Sequence, residues 1–284
     1  MTAYKNIIQS FSTFSKSFIA LFLLGLMYSC FDIELVDRAQ LTIVTQWEKL
    51  DADVTVPSSY TVEIGQEKLK FSGASNPLPD LLPGDYKVVV YNDASHLSVN
   101  NNIATVTQSN GLVNSMPGWF FSAVTNVTYN DNVVDTIIVP MKQQIRELRI
   151  RLHAEGGSKE NIKEIQTKLT GVAGSWDLLT NTATGNAREI ALPFVKQADG
   201  TWLAVVRLLG IVGNRQTIVG EIIFDNAVPK DLHIDTDISS SLIDFNVNKY
   251  LPLAFTGNIE TPTQAGFTGS ITDWKQISQN GIAW

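Results

Sequence analysis

The chain has 284 residues, 44% hydrophobic and 17% charged, enough apolar material for about two domains and too little charge for a disordered polymer. Its 21 basic residues against 28 acidic ones give a net charge of −7, which supplies no basic surface to neutralise a phosphate backbone and sets nucleic acid aside as a partner. The single cysteine, Cys30, excludes an internal disulfide.

Lys5 and Lys16 precede the apolar run Phe18 to Met27, the order of a secretory signal. That run is well short of the roughly 20 apolar residues a bilayer-spanning helix needs. It closes on Met27-Tyr28-Ser29-Cys30, which resembles a bacterial lipobox, so residues 1–29 read as a lipoprotein signal peptide and Cys30 as the lipidated first residue of the mature chain. A plain secretory signal with a chance cysteine is the alternative. Loss of Lys5 and Lys16 would take the net charge from −7 to −9, and Asp32, Glu34 and Asp37 make residues 30–38 an acidic tether.

Leu41 to Trp47, Tyr60 to Ile64 and Tyr86 to Tyr91 are short, β-branched and bounded by turn residues, and read as strands. Pro83-Gly84-Asp85 and Asn92-Asp93 isolate the third of these between loops. Ile103 to Thr107, Trp119 to Ala123 and Val133 to Val139 continue the series at sandwich spacing. A joint near Pro140 to Gln144 divides the chain into an N-terminal β domain, 39–141, and a C-terminal one, 142–284.

The second half opens with Ile145 to His153, where Leu148, Ile150 and Leu152 alternate with Arg149 and Arg151. Further strands are expected at Ile165 to Leu169, Glu189 to Phe194, Trp202 to Leu209, Thr217 to Phe224, Tyr250 to Phe255 and Phe267 to Trp274. Ser158 to Ile165, with Ser158 placed to cap, and Ser239 to Phe245 are expected as short helices in an otherwise all-β chain.

Residues that would carry catalysis are hard to find. No Gly-x-Ser-x-Gly elbow or phosphate-binding Gly-rich loop is present, and Gly171-Val172-Ala173-Gly174 and Gly210-Ile211-Val212-Gly213 read as turns or bulges. Asp231, His233, Asp235 and Asp237 alternate with Leu232 and Ile234. Ligands along one flat strand cannot wrap an ion, so this stretch reads as the wet face of an edge strand. No metal, cofactor or catalytic residue is predicted, and the protein is read as a non-enzyme. Of the tryptophans at 47, 119, 176, 202, 274 and 284, those within apolar strands are expected in the core, where they offer no platform for stacking a sugar.

Several segments in order resemble the fimbrillin superfamily of Bacteroidales, most closely its accessory or anchor-type lipoprotein subunits. They are Cys30 with its acidic stretch, Leu41 to Trp47, Leu81-Leu82-Pro83-Gly84-Asp85-Tyr86 leading into Val88 to Asn92, Leu169 to Gly174, Leu242 to Asn246, and Phe267 to Trp274. The resemblance implies two tandem transthyretin-like (Greek-key) β-sandwich domains and export to the outer membrane, with a lipid anchor holding the protein at the cell surface. It implies assembly into a fimbria with other fimbrial subunits by β-strand addition, and no catalysis. Shaft subunits of that family lose an N-terminal strand by cleavage after a basic residue. Arg38 is the only basic residue between Cys30 and the first strand here, and a cut there releases too little chain to be such a strand, which points to an uncut anchor.

On that reading the C-terminal segment from Gly269 is the strand donated to a neighbour, with Ile271, Ile277, Ile282 and Trp284 as apolar plugs; an ordinary edge strand of its own domain is the alternative. Asp135-Thr136-Ile137 resembles the O-glycan acceptor of exported Bacteroidetes proteins, which makes Thr136 a candidate attachment point, or simply a strand residue. A second function remains open: a surface lipoprotein that binds glycan or host protein without polymerising.

Overall fold

Period-two alternation of apolar and polar residues becomes strand almost throughout the computed structural model, which describes residues 40–47, 50, 54–130, 134–226, 229–262 and 271–277. In chain order the first half runs β1 (Gln40–Gln46), β2 (Ser59–Ile64), β3 (Glu67–Ser72), β4 (Ser75–Pro77), β5 (Gly84–Tyr91), β6 (Leu97–Asn100), β7 (Ile103–Val106), β8 (Gln108–Ser109), β9 (Leu112–Val113), β10 (Phe121–Tyr129) and β11 (Val134–Pro140). The second runs β12 (Lys142–Gln143), β13 (Arg146–Gly156), β14 (Ile162–Asp177), β15 (Thr182–Pro193), β16 (Val195–Lys196), β17 (Trp202–Leu208), β18 (Thr217–Phe224), β19 (Leu232–Asp237), β20 (Leu253–Thr261) and β21 (Ile271–Gln276).

The protein is an all-β pair of sandwich lobes. The first lobe packs the sheet β11-β1-β4 against β12-β10-β5-β2-β3, and the second packs β16-β17-β13-β20-β21 against a large sheet ordered β19-β18-β14-β15-β9-β8. In each lobe the opening strand pairs in parallel with a late one, β1 with β11 and β13 with β20. Leu41, Ile43, Val62, Val88, Val90 and Phe121 belong to the first core, while Leu148, Ile150, Leu169, Ile218, Phe245 and Phe255 belong to the second.

The lobes are knitted together. Strands β6 to β9, from the first half of the chain, hydrogen-bond into the large sheet of the second through β7 against β14 and β9 against β15. Strand β5 is buried on both faces over Val88 to Tyr91: Val88 and Val90 enter the first core and Val89 and Tyr91 the second, which is why this strand reads as a continuous apolar run. The buried Asn92 side chain then accepts from the Phe121 amide at 2.7 Å and donates to the Trp119 carbonyl at 3.0 Å, fixing the chain where it leaves β5.

Local chemistry accounts for the irregularities. The two-residue turn joining β2 to β3 needs a left-handed first position, met by Gly65 at φ +60°. The Gly171 to Gly174 stretch does form bulges, with register shifts between Leu169 and Val172 and between Ala173 and Ser175. The expected helices shrink to single 3₁₀ turns, Lys159–Asn161 and Ser239–Leu242. Ser158 does not cap: its hydroxyl donates to the Pro262 carbonyl, and from Ile162 the β-branched alternation Ile162, Ile165, Thr167 continues as β14. In the second turn the amides of Ser241 and Phe245 bond three residues back, to Ile238 and Leu242, so no α-helix propagates.

Candidate functional site

For a protein expected to work by strand exchange, the edges of its sheets are the site. Strand β21 is an edge strand, paired antiparallel with β20 and with no other partner among the described residues. Ile271 is buried, and its amide donates to Thr236 Oγ1 at 3.1 Å. Trp274 meets Phe255 edge-on at 6.4 Å between ring centres, and the Ile277 amide donates to the Ala254 carbonyl at 3.0 Å. A bulge at Gly257 makes room for this strand, since a Cβ there would stand 2.7 Å from Ile271 Cγ2. Of the four candidate plugs, Ile271 is inside its own sandwich and Ile277 is half-buried beside it; Ile282 and Trp284 lie outside the described residues, as does Cys30.

At the other end of the described chain, β1 begins at Gln40 and fills the first lobe between β11 and β4, with Leu41, Ile43 and Thr45 facing inward. Thr136 is exposed on β11, the outer strand of the same sheet among the described residues. The alternating stretch at 231–237 is the edge strand β19, with Leu232 and Ile234 buried and His233 and Asp235 outside. Among the described residues no group of His, Cys, Asp and Glu is placed to hold a metal ion. Trp176 and Trp202 are core residues, and Trp47 and Trp119 pack against the cores.

Where the lobes join, the structure assembles a buried polar cluster that the sequence reading passed over. Arg146, 5% exposed, donates from Nε to the Leu251 carbonyl at 2.7 Å and from Nη1 to the Asp244 and Phe245 carbonyls, both at 2.9 Å, with its guanidinium over the Phe245 ring. Lys249, also 5% exposed, donates to the Leu209 carbonyl at 2.8 Å and stands 3.0 Å from the centre of the Trp176 ring. Gln143 Nε2 donates to the Ile145 and Lys249 carbonyls, both at 2.8 Å, clipping the strand that leaves the first lobe to the segment 239–251 of the second. Burial pushes the Arg146 guanidinium down to about 10 against the opposing pull of Asp244. Burial first, and the Arg146 charge second, push the Lys249 amine well below the usual lysine range. The cluster ties segment 239–251 to the start of β13 and reads as structural. Its sequence signal was parity, for Arg146 shares the inward phase of Leu148, Ile150 and Leu152.

The profile of the family described as fimbrillin-A associated anchor proteins Mfa1 and Mfa2 matches residues 51–280. Among solved structures, a candidate adhesin from Bacteroides ovatus superposes with a TM-score of 0.61 at 12% identity, covering 86% of this chain and 96% of its own. The fimbrial anchor protein Mfa2 from Porphyromonas gingivalis superposes at 0.56 and 12% identity, covering 86% and 98%. A second candidate adhesin from Bacteroides ovatus reaches 0.55 at 16% identity, covering 80% and 90%. At these identities the likeness is one of fold. No curated protein sequence matches the chain.

Proposed function

This chain belongs to the family of fimbrillin-A associated anchor proteins, and from that membership we propose that it is a non-enzymatic subunit tethered to the outer membrane through a lipid on Cys30, holding a fibre of other subunits at the cell surface. The coarse part is plain from the family and the fold: a fimbrial or adhesin-like subunit. The finer reading has the protein join its neighbour by β-strand addition through the residues that follow β21, with Ile282 and Trp284 as plugs. The observation that carries it is the family match over residues 51–280, supported by β21 lying at a sheet edge.

The test separates tether from donor. Cys30→Ala should release the protein from the membrane fraction while leaving co-purification with a fimbrial partner intact. Deletion of residues 278–284 should abolish that co-purification, leaving membrane attachment and cooperative unfolding unchanged. A Cys30→Ala protein that stays in the membrane, or a truncated one that still binds its partner, refutes the corresponding half.

A further inference from the structure

A sheet edge displays unpaired N–H and C=O groups, and any long, uncharged one invites pairing with another chain. Among the described residues, half of the strands that end the sheets are short: β4 has three residues, and β8, β12 and β16 have two each. The longer edges β3, β19 and β21 carry charge. Lys68 and Lys70 of β3 pair with Glu63 and Asp93, β19 carries His233, Asp235 and Asp237, and β21 carries Asp273 and Lys275. Strand β11, Val-Asp-Thr-Ile-Ile-Val-Pro, has no basic residue, and its Ile138 is 55% exposed. By composition it is the adhesive edge of the first lobe.

Its backbone tells otherwise. The Met141 amide donates to the Gln46 carbonyl at 2.8 Å, which fixes the phase of the ladder: residues 135, 137 and 139 turn their amides toward β1, and 136, 138 and 140 turn outward. The Thr136 N–H is already taken by Asp135 Oδ1 at 2.7 Å. Position 140 is proline and has no N–H to give. Only Ile138 keeps an outward donor between these two blocks, and an incoming strand would bring its carbonyl oxygens up against the Asp135 carboxylate.

We propose that Asp135 and Pro140 close the outer edge of β11, which has no strand beyond it among the described residues, to addition by a second copy of this chain, so that the protein does not polymerise with itself through its first lobe. The inference stands whether or not the C-terminal tail is donated, because it concerns the chain alone.

Sedimentation of the purified full chain over a range of concentrations, with hydrogen exchange at the Thr136 amide, tests it. Asp135→Asn keeps an acceptor oxygen and should behave as the wild type. Asp135→Ala should self-associate about tenfold more tightly, the worth of roughly one main-chain hydrogen bond, and its Thr136 amide should exchange about tenfold faster at low concentration. Asp135→Ala/Pro140→Thr should associate more tightly still, and adding Ile138→Lys should reverse it. If the double variant does not fold, the single one decides. Asp135→Ala sedimenting as the wild type does, an unchanged Thr136 exchange rate, or association that survives Ile138→Lys would each overturn the proposal.

Discussion

Replacing Arg146 by alanine should loosen segment 239–251 and lower the stability of the whole fold. The guanidinium makes three charge-assisted bonds to main-chain carbonyls, of which the one to Phe245 is fully buried and those to Asp244 and Leu251 are partly so. Stranding the buried carbonyl costs about 2 kcal/mol, and the two that water can reach cost about 1 kcal/mol each. Lost contact with the Phe245 ring adds roughly 0.5 kcal/mol, and relief of a buried charge returns about 1 kcal/mol, leaving a net loss of about 3.5 kcal/mol. At about 2–4 °C per kcal/mol for a protein of this size, Tm should fall by about 10 °C. Arg146→Lys keeps the charge and loses the fork, and should give up about half as much. Urea and thermal unfolding of the three proteins measure this. A loss below about 1 kcal/mol for alanine, or lysine indistinguishable from arginine, would show that the fork does not pin the segment.

Lys249→Met should flatten the alkaline rise of stability. With the folded amine depressed below the ordinary 10.5, the unfolded chain binds the extra proton, so stability increases with pH from the depressed value up to 10.5, and urea midpoints across that window should lose this slope in the variant. Tyr129 has the opposite sign: burial, helped by Tyr86, pushes its phenol up to about 12, so its contribution is intact below pH 10 and fades as the pH climbs toward 12. Its buried hydroxyl has no hydrogen-bond partner among the described residues, so Tyr129→Phe should gain about 1 kcal/mol at neutral pH and remove that fade; a loss at neutral pH would reveal a partner. Gly220→Ala would set a Cβ 2.1 Å from the Gln166 carbonyl oxygen at φ +152° and should cost about 3 kcal/mol by thermal unfolding; a variant as stable as the parent would mean that β18 and β14 separate freely.

The sequence disclosed most where burial is one-sided. In β13 the alternation of Leu148, Ile150 and Leu152 with Arg149 and Arg151 fixes both strand and facing. In β5 an unbroken apolar run gave the strand but not its meaning, because nothing local says that its two faces enter different cores. Strand β3, Glu-Lys-Leu-Lys-Phe-Ser, went unread because an edge strand exposed on one face looks like a charged loop, and only its pairing with β2 defines it. The first expected helix failed on pairing too, since Ile162 and the residues after it pair with β18. Of the candidate site, β21 was legible as a strand, while Arg146 and Lys249 were visible only as charges whose carbonyl partners lie about a hundred residues away or in distant turns.

The parallel pairings of β1 with β11 and of β13 with β20 carry a mechanical consequence. Pull the chain from its N-terminal side and β1 is drawn along its own axis from Gln40, while β11 hands the tension on from Pro140 at the opposite end of the same ladder. Its rungs then resist together in shear, since none can open before its neighbours. The second lobe repeats the arrangement, with tension entering β13 at Arg146 and leaving β20 at Thr261, so that the ladder from Leu148 against Leu253 to Gly156 against Thr261 is again strained lengthwise. A molecule stretched between its two ends meets its own strongest grain twice over, and rupture would have to begin by sliding rather than by unzipping.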